Sequence, residues 1–145
     1  MNSETGSNNK LMKYGKGYQL LYELGTGLGA EISQLLDLTV DDVRDEEYLS
    51  MYVGPKKCRR TFHLTKSLRR QIAIYTSNRE GTLFINDEGI AITEEDARKV
   101  LDECGIKKPF INILLGRYYR ETGDIYYPMF TLDLPSEDAA IDAIS

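Results

Sequence analysis

Three glycines within six residues, Gly25-Thr26-Gly27-Leu28-Gly29-Ala30, limit what this chain can fold into more than any other stretch. Glycine tolerates the left-handed dihedrals that end a helix or turn a loop, so the segment reads as a boundary between elements. It also fits GxGxxA, the turn that cradles a dinucleotide pyrophosphate between a strand and a helix. The surroundings do not suit that use. Tyr14, Tyr18, Leu21 and Tyr22, just upstream, recur at the three- and four-residue spacing of an amphipathic helix rather than the alternation of a strand. The next strand ends Tyr52-Val53-Gly54 without the acid that would hold a ribose. The expectation is therefore a helix over residues 11–24 that Gly25-Thr26-Gly27 terminates, with no nucleotide site.

The remaining punctuation is equally local. Residues 31–38 place Ile32, Leu35 and Leu36 on one helical face, and Thr39 with Asp41 and Asp42 makes a capped turn. Residues 48–53 and 61–64 are β-branched and aromatic and flank a Gly-Pro-Lys-Lys turn, which predicts a hairpin. Thr65 is placed to cap a helix running to about residue 76. Leu83-Phe84-Ile85 is expected as a third strand, followed by a turn over residues 86–89. Thr93-Glu94-Glu95-Asp96 opens a helix that Gly105 stops, and residues 110–121, with Ile111, Leu114, Leu115 and Tyr118 on one stripe, form another before Gly123. Pro128 and Pro135 are expected to break the next region, leaving a last short helix over residues 136–144. The predicted class is α+β, mainly α: six or seven helices around a small three-stranded antiparallel sheet, in one domain spanning 11–145. Residues 1–10, polar and without apolar periodicity, are expected to be a disordered lead or an expression scar.

Charge is distributed unevenly. The net charge is −5. Yet residues 54–70 hold seven cations, Lys56, Lys57, Arg59, Arg60, Lys66, Arg69 and Arg70, and no acid, while acids crowd residues 37–47 and the last thirteen residues. An acid-free run suits a phosphate backbone better than a uniformly acidic surface does. Cys58 and Cys104 are far apart and His63 is the only histidine, so a structural zinc site lacks ligands. No metal, cofactor or small-molecule substrate is expected. No apolar run approaches the roughly 20 residues that cross a bilayer, which points to a cytoplasmic protein with no membrane partner.

At full length the glycine segment carries a second signal. Residues 25–43, GTGLGAEISQLLDLTVDDV, closely resemble the GTGLR, ISELL and LTWDDV run of tyrosine recombinases (phage integrases). The resemblance continues in order: the Pro55-Lys56-Lys57 turn, His63-Leu64 against the family's "VPL", Leu83-Phe84 against its "LF" strand. ITEEDARKVLDECGI at 92–106 is similar to the helix preceding the family's HxxR box, and YYRETGDI at 118–125 to the end of the helix that carries it. The fold this implies is the recombinase catalytic domain, spread over nearly all of residues 11–145.

In that family a tyrosine attacks a phosphodiester, two arginines and a histidine or tryptophan hold the phosphorane, and a lysine protonates the leaving oxygen. Here the first arginine position falls on Gly29 or Glu31, the HxxR box on Pro109 and Asn112, the second histidine on Leu134 and the nucleophile on Ala143. A lysine remains, as Lys56 or Lys57. Tyr126 and Tyr127 lie some sixteen residues too early for the family's nucleophile and read as core or surface aromatics. The resemblance therefore implies a pseudo-enzyme, not an enzyme, with no catalytic residues. It implies double-stranded DNA as partner, held by Lys56, Lys57, Arg59, Arg60, Lys66, Arg69 and Arg70, with Arg117 and Arg120 as candidates to extend the face. A regulator or accessory factor of a prophage or other mobile element is the expected role. The alternatives are a protein-interaction module, with self-association through residues 136–145, and an active recombinase whose catalytic residues are displaced.

Overall fold

In the computed structural model, described over residues 9–145, the first four residues of the glycine segment form the last turn of the central helix, and the boundary falls at its third glycine. Helix α1 runs Lys16–Leu28 and ends one residue later at Gly29, whose φ of 73° is the left-handed cap. The expected stop at Gly25 therefore moves four residues along the chain. A mid-helix glycine costs about 1 kcal/mol relative to alanine, and packing offsets that cost. A Cβ on Gly25 would lie 2.2 Å from the Phe110 ring, and one on Gly27 would lie 2.6 Å from the Phe62 ring. The glycines let two aromatic rings seat against the helix backbone. The start moves too, because Gly15 at φ 125° separates residues 11–14 from α1. Of the expected lead over residues 1–10, residues 1–8 lie outside the described part of the chain, while residues 9 and 10 are helical.

Two short helices follow, α2 (Ile32–Leu36) and α3 (Val40–Val43), the latter opened by a reciprocal box between Thr39 and Asp42. Strands β1 (Tyr48–Val53) and β2 (Cys58–His63) then pair antiparallel, with Tyr48 opposite His63 and Val53 opposite Cys58. Helix α4 (Lys66–Tyr75) begins at Thr65, whose hydroxyl accepts from the Leu68 N–H. Helix α5 (Glu94–Glu103) begins in the same way at Thr93, accepting from Asp96 N–H.

Among the described residues the sheet has two strands, not the three expected. Leu83 and Phe84 are buried to about 1% exposure, but their stretch makes only single bridges, Thr39 with Thr82 and Ile85 with Ala91. Its backbone bonds are shared between two neighbours, Leu83 N–H donating to Leu38 and Ile92 N–H donating to Phe84, so no ladder builds on either side. The apolar signal that predicted a strand is a core anchor instead.

Helix α6 (Phe110–Thr122) packs along α1 and ends at Gly123. Its buried side differs from the expected stripe: Phe110 and Leu115 are buried, whereas Ile111, Leu114 and Tyr118 are half-buried. Pro128, expected as a breaker, lies inside a further helix, α7 (Tyr126–Thr131). It occupies the first turn, where an N–H has no partner within the helix, so its missing donor costs nothing there. Asp124 opens that turn by accepting from the N–H groups of Tyr126 and Tyr127, at 2.9 and 3.4 Å. Helix α8 (Glu137–Ile144) starts at Ser136, whose hydroxyl accepts from Ala139 N–H.

The main core surrounds α1, with Leu20, Leu21, Leu24 and Leu28 at 1% exposure or less. A separate, smaller cluster of Leu115, Ile125, Ala140 and Ile144 holds α7 and α8 against α6. Among the described residues no helix is long and apolar enough to cross a membrane.

Candidate nucleic-acid interface

A strand turns alternate residues to opposite faces, and this divides the acid-free run. On β2, Arg60 lies opposite Met51 and turns inward with Phe62 and Cys58, whereas Arg59, opposite Tyr52, is exposed on the outer face. Arg60 Nη1 donates to the Tyr127 hydroxyl at 2.9 Å, and its Nε is shielded from solvent without an acceptor among the described residues. It ties the sheet to α7. The seven cations are thus not one continuous surface.

The two turn lysines also differ. Lys56 folds back over α7, with its ammonium 3.7 Å from the Phe130 ring centroid and 3.7 Å from Asp133 Oδ1. Lys57 holds the turn at φ 53° and is exposed. Of the seven predicted cations, Lys56 alone forms an ion pair among the described residues, and Arg60 is held by the Tyr127 hydroxyl; Lys57, Arg59, Lys66, Arg69 and Arg70 have neither kind of partner there. An unpaired exposed cation is available to an external anion, whereas a paired one must first give up its partner.

Position along the hairpin divides the run again. Lys56 and Lys57 occupy the tip. Arg69 and Arg70 follow the base, where Leu64 N–H donates to Glu47 and α4 begins. With six residues in each strand, tip and base are about 20 Å apart, at roughly 3.3 Å per residue. Arg117, a candidate to extend the face, points elsewhere, with its Nη2 3.5 Å from the Tyr22 hydroxyl of α1.

Several of the positions at which the resemblance locates chemistry lie near one another. A Cβ on Gly29 would lie 3.1 Å from Leu114 and 3.2 Å from Ile111 of α6; one on Gly54, at the hairpin tip, would lie 3.1 Å from that same Ile111. Asn112 Nδ2 donates to the carbonyl of Ala143 at 2.8 Å. Gly29, Asn112, Ala143 and the lysine turn are therefore grouped around the start of α6. Glu31 instead accepts at the start of α2, while Leu134 packs in the small C-terminal cluster against which Ile111 and Ala143 also pack.

Beside this group lies a second constellation that the sequence reading did not assemble. Tyr118 and Tyr127 pack with their rings tilted by 59° and centroids 4.8 Å apart, and the Tyr118 hydroxyl donates to Asp124 Oδ2 at 2.7 Å. That hydrogen bond, first among the causes, raises the Tyr118 pKa and lowers that of Asp124. Tyr126, 64% exposed, and Phe130, 59% exposed, complete an aromatic surface on α7. Its sequence signal was Tyr126-Tyr127 itself, obscured by the proline that follows.

No protein-family model and no curated protein sequence matches the chain. Solved structures do match. XerH site-specific recombinase bound to palindromic difH substrate, in a post-cleavage complex, aligns over 100% of this chain and 48% of its own length, with a TM-score of 0.59 and 14% identity. XerA recombinase aligns over 99% of this chain and 58% of its own, with a TM-score of 0.57 and 14% identity. XerH bound to difH, in a pre-cleavage complex, gives a TM-score of 0.56 over 99% of this chain and 48% of its own, again at 14% identity. The chain thus has a tyrosine-recombinase-like fold and spans about half the length of these recombinases.

Proposed function

We propose that this chain binds double-stranded DNA without cutting it, as a regulator or accessory factor of a mobile element or prophage, acting in the cytoplasm. The observation that carries the reading is the acid-free run: six of its seven cations are without an ion pair among the described residues, and Lys57, Arg59, Lys66 and Arg70 are exposed on the hairpin and helix. Two of the solved structures with this fold are recombinases bound to DNA substrates. The non-cutting half of the reading is supported by the side chains grouped at the start of α6. Glycine, asparagine and alanine there offer neither a nucleophile nor a guanidinium, and a lost transition-state donor costs about 3 kcal/mol each.

Duplex binding measured by fluorescence anisotropy at several salt concentrations tests it. Each true phosphate contact adds roughly 0.9 to the slope of log affinity against log salt. Lys57→Glu with Arg59→Glu should weaken binding to every duplex sequence and flatten that slope by nearly two units, because backbone contacts position without reading bases. Unchanged affinity and slope would sink the DNA reading and favour a protein-interaction module. Self-association through residues 136–145 is the less favoured form of such a module, since Ala140 and Ile144 of α8 are already buried in their own chain.

One observation favours a second reading, in which the chemistry has moved: the Tyr127 phenol rests on the Arg60 guanidinium, on the same helix that Lys56 covers. A covalent protein–DNA adduct on a nicked suicide substrate, lost in Tyr127→Phe, would establish that reading and end the pseudo-enzyme proposal.

A further inference from the structure

A groove of about 1010 Å³ opens between the end of α3 and the side of α4, at the base of the hairpin. Its charged lining is Arg44, Arg69, Arg70 and Arg79 against Asp45 and Glu80, four guanidinium groups to two carboxylates. Arg79 is a fixed wall. Its Nε, Nη1 and Nη2 donate to the carbonyls of Tyr75, Thr82 and Leu83, and its guanidinium lies 4.6 Å from the Tyr75 ring centroid. Arg44 is also held, donating to the Arg79 carbonyl and lying 3.7 Å from Asp41 Oδ1. Arg69 and Arg70 differ from both. Neither forms an ion pair among the described residues, and Arg69 Nε is shielded from solvent with no acceptor there. A shielded donor on a charged group, left unmatched, marks a place where an acceptor belongs.

We propose that this groove is a phosphate-binding pocket, with Arg69 and Arg70 as the direct ligands and Arg44 as the supporting cation. A guanidinium presents a planar fork of donors that fits two phosphate oxygens at once, and an arginine Nε–H is one tine of that fork. The surplus of two positive charges matches one phosphate group. Asp45 and Glu80 oppose a longer polyanion. The inference deepens the DNA reading by adding Arg44 and a discrete pocket about 20 Å from the hairpin tip. It stands on the groove, so it can be tested apart from that reading, and the phosphate can belong to a duplex backbone or to a free phosphate compound.

The experiment uses the whole chain labelled with ¹⁵N and inorganic phosphate as the probe, added at constant ionic strength against chloride. The arginine Nε–H cross-peak of Arg69 should shift and saturate. Arg70→Gln, at an exposed position that leaves the fold intact, should weaken that saturation about tenfold, the loss of one charge-assisted contact. Arg69→Lys, which keeps the charge and removes the fork, should weaken it similarly, while Lys57→Glu at the hairpin tip should not. A shift that grows linearly without saturating, or saturation that Arg70→Gln leaves unchanged, overturns the pocket. A duplex arm then identifies the source. A fall of about 0.9 in the salt slope for Arg70→Gln places a backbone phosphate in the groove. An unchanged slope alongside saturable phosphate binding assigns the groove to a free phosphate compound. Absence of any duplex binding by the unmodified chain rejects the DNA reading alone, because the phosphate titration is independent of it.

Discussion

The main core and the C-terminal cluster are built on different scales. Around α1, apolar side chains cover all but the Lys16, Gln19 and Glu23 stripe, closely enough that the rings of Phe62 and Phe110 rest on glycine backbone. The C-terminal cluster fixes α7 and α8 with four buried residues, Leu115, Ile125, Ala140 and Ile144. A fully buried aliphatic side chain contributes about 1.5–3 kcal/mol, so the second unit has far less to hold it closed and should open before the first. The hairpin belongs to both. It is anchored in the main core along its length, through Leu49, Val53 and Leu64, and its tip also touches the C-terminal unit, through Gly54 beside Ile111, Lys56 on Phe130 and Asp133, and Arg60 on Tyr127. The face that carries the basic residues is thus positioned by a firm core along the hairpin and, at the tip, by a lightly held unit as well.

The largest expected effect tests the firm side. Leu21→Ala removes a fully buried side chain from the middle of α1 and should cost about 3–4 kcal/mol in urea denaturation. Amide protection in α1 and α8 should fall together, because α8 has no support once the core opens. A loss below about 1 kcal/mol would mean that the core repacks and that the contrast is overstated.

Ile144→Ala tests the other side. The substitution should cost about 2 kcal/mol, seen as faster amide exchange through residues 126–144 with α1 nearly unchanged. Because Lys56 and Arg60 lean on α7, duplex binding should weaken as well, without any cation having been removed. Equal loss of protection in α1 would show one cooperative unit instead of two.

The same contrast explains what was legible in the sequence. Elements with local punctuation were: Thr39, Thr65, Thr93 and Ser136 start their helices as a short hydroxyl side chain should, and Gly-Pro-Lys-Lys turns the hairpin. Elements decided by long-range contact were not. Gly25 and Gly27 read as a helix stop because nothing local shows that Phe110 and Phe62 will need the space. Leu83-Phe84 read as a strand because burial as a core anchor and burial in a ladder leave the same apolar signature. Pro128 read as a break because its effect depends on being in a first turn, which Asp124 fixes. For the candidate interface, charge counting found the run but not its division. The strand register that turns Arg60 inward is a geometric fact, and Arg44 was hidden among the acids of residues 37–47, of which Asp45 alone lines the groove.

The smallest expected effect concerns pH and again separates the two regions, since it acts through one exposed contact of the C-terminal unit. The Tyr118 hydroxyl donates to Asp124, and Asp124 also receives the N–H groups that open α7. The Tyr118 hydrogen bond is the main cause holding the Asp124 carboxyl below the ordinary aspartate value of 3.8. A carboxylate whose folded pKa is depressed contributes stability above its unfolded pKa and loses it as pH falls through the folded one. The contribution of Asp124 should therefore be intact above pH 3.8 and fade below it. The phenol has the opposite sign. Its pKa is raised above the ordinary 10.0, mainly by the same hydrogen bond, so its contribution holds below that value and fades as pH rises past it. Between the two limits the start of α7 should be insensitive to pH. Amide exchange of Tyr126 and Tyr127 should accelerate at both extremes relative to α1, after correction for intrinsic rates. Asp124→Asn should remove the acid limb, because an amide oxygen accepts the same N–H groups but does not titrate. If that variant keeps the acid limb, the proton is taken up elsewhere, and the start of α7 is not held by this contact.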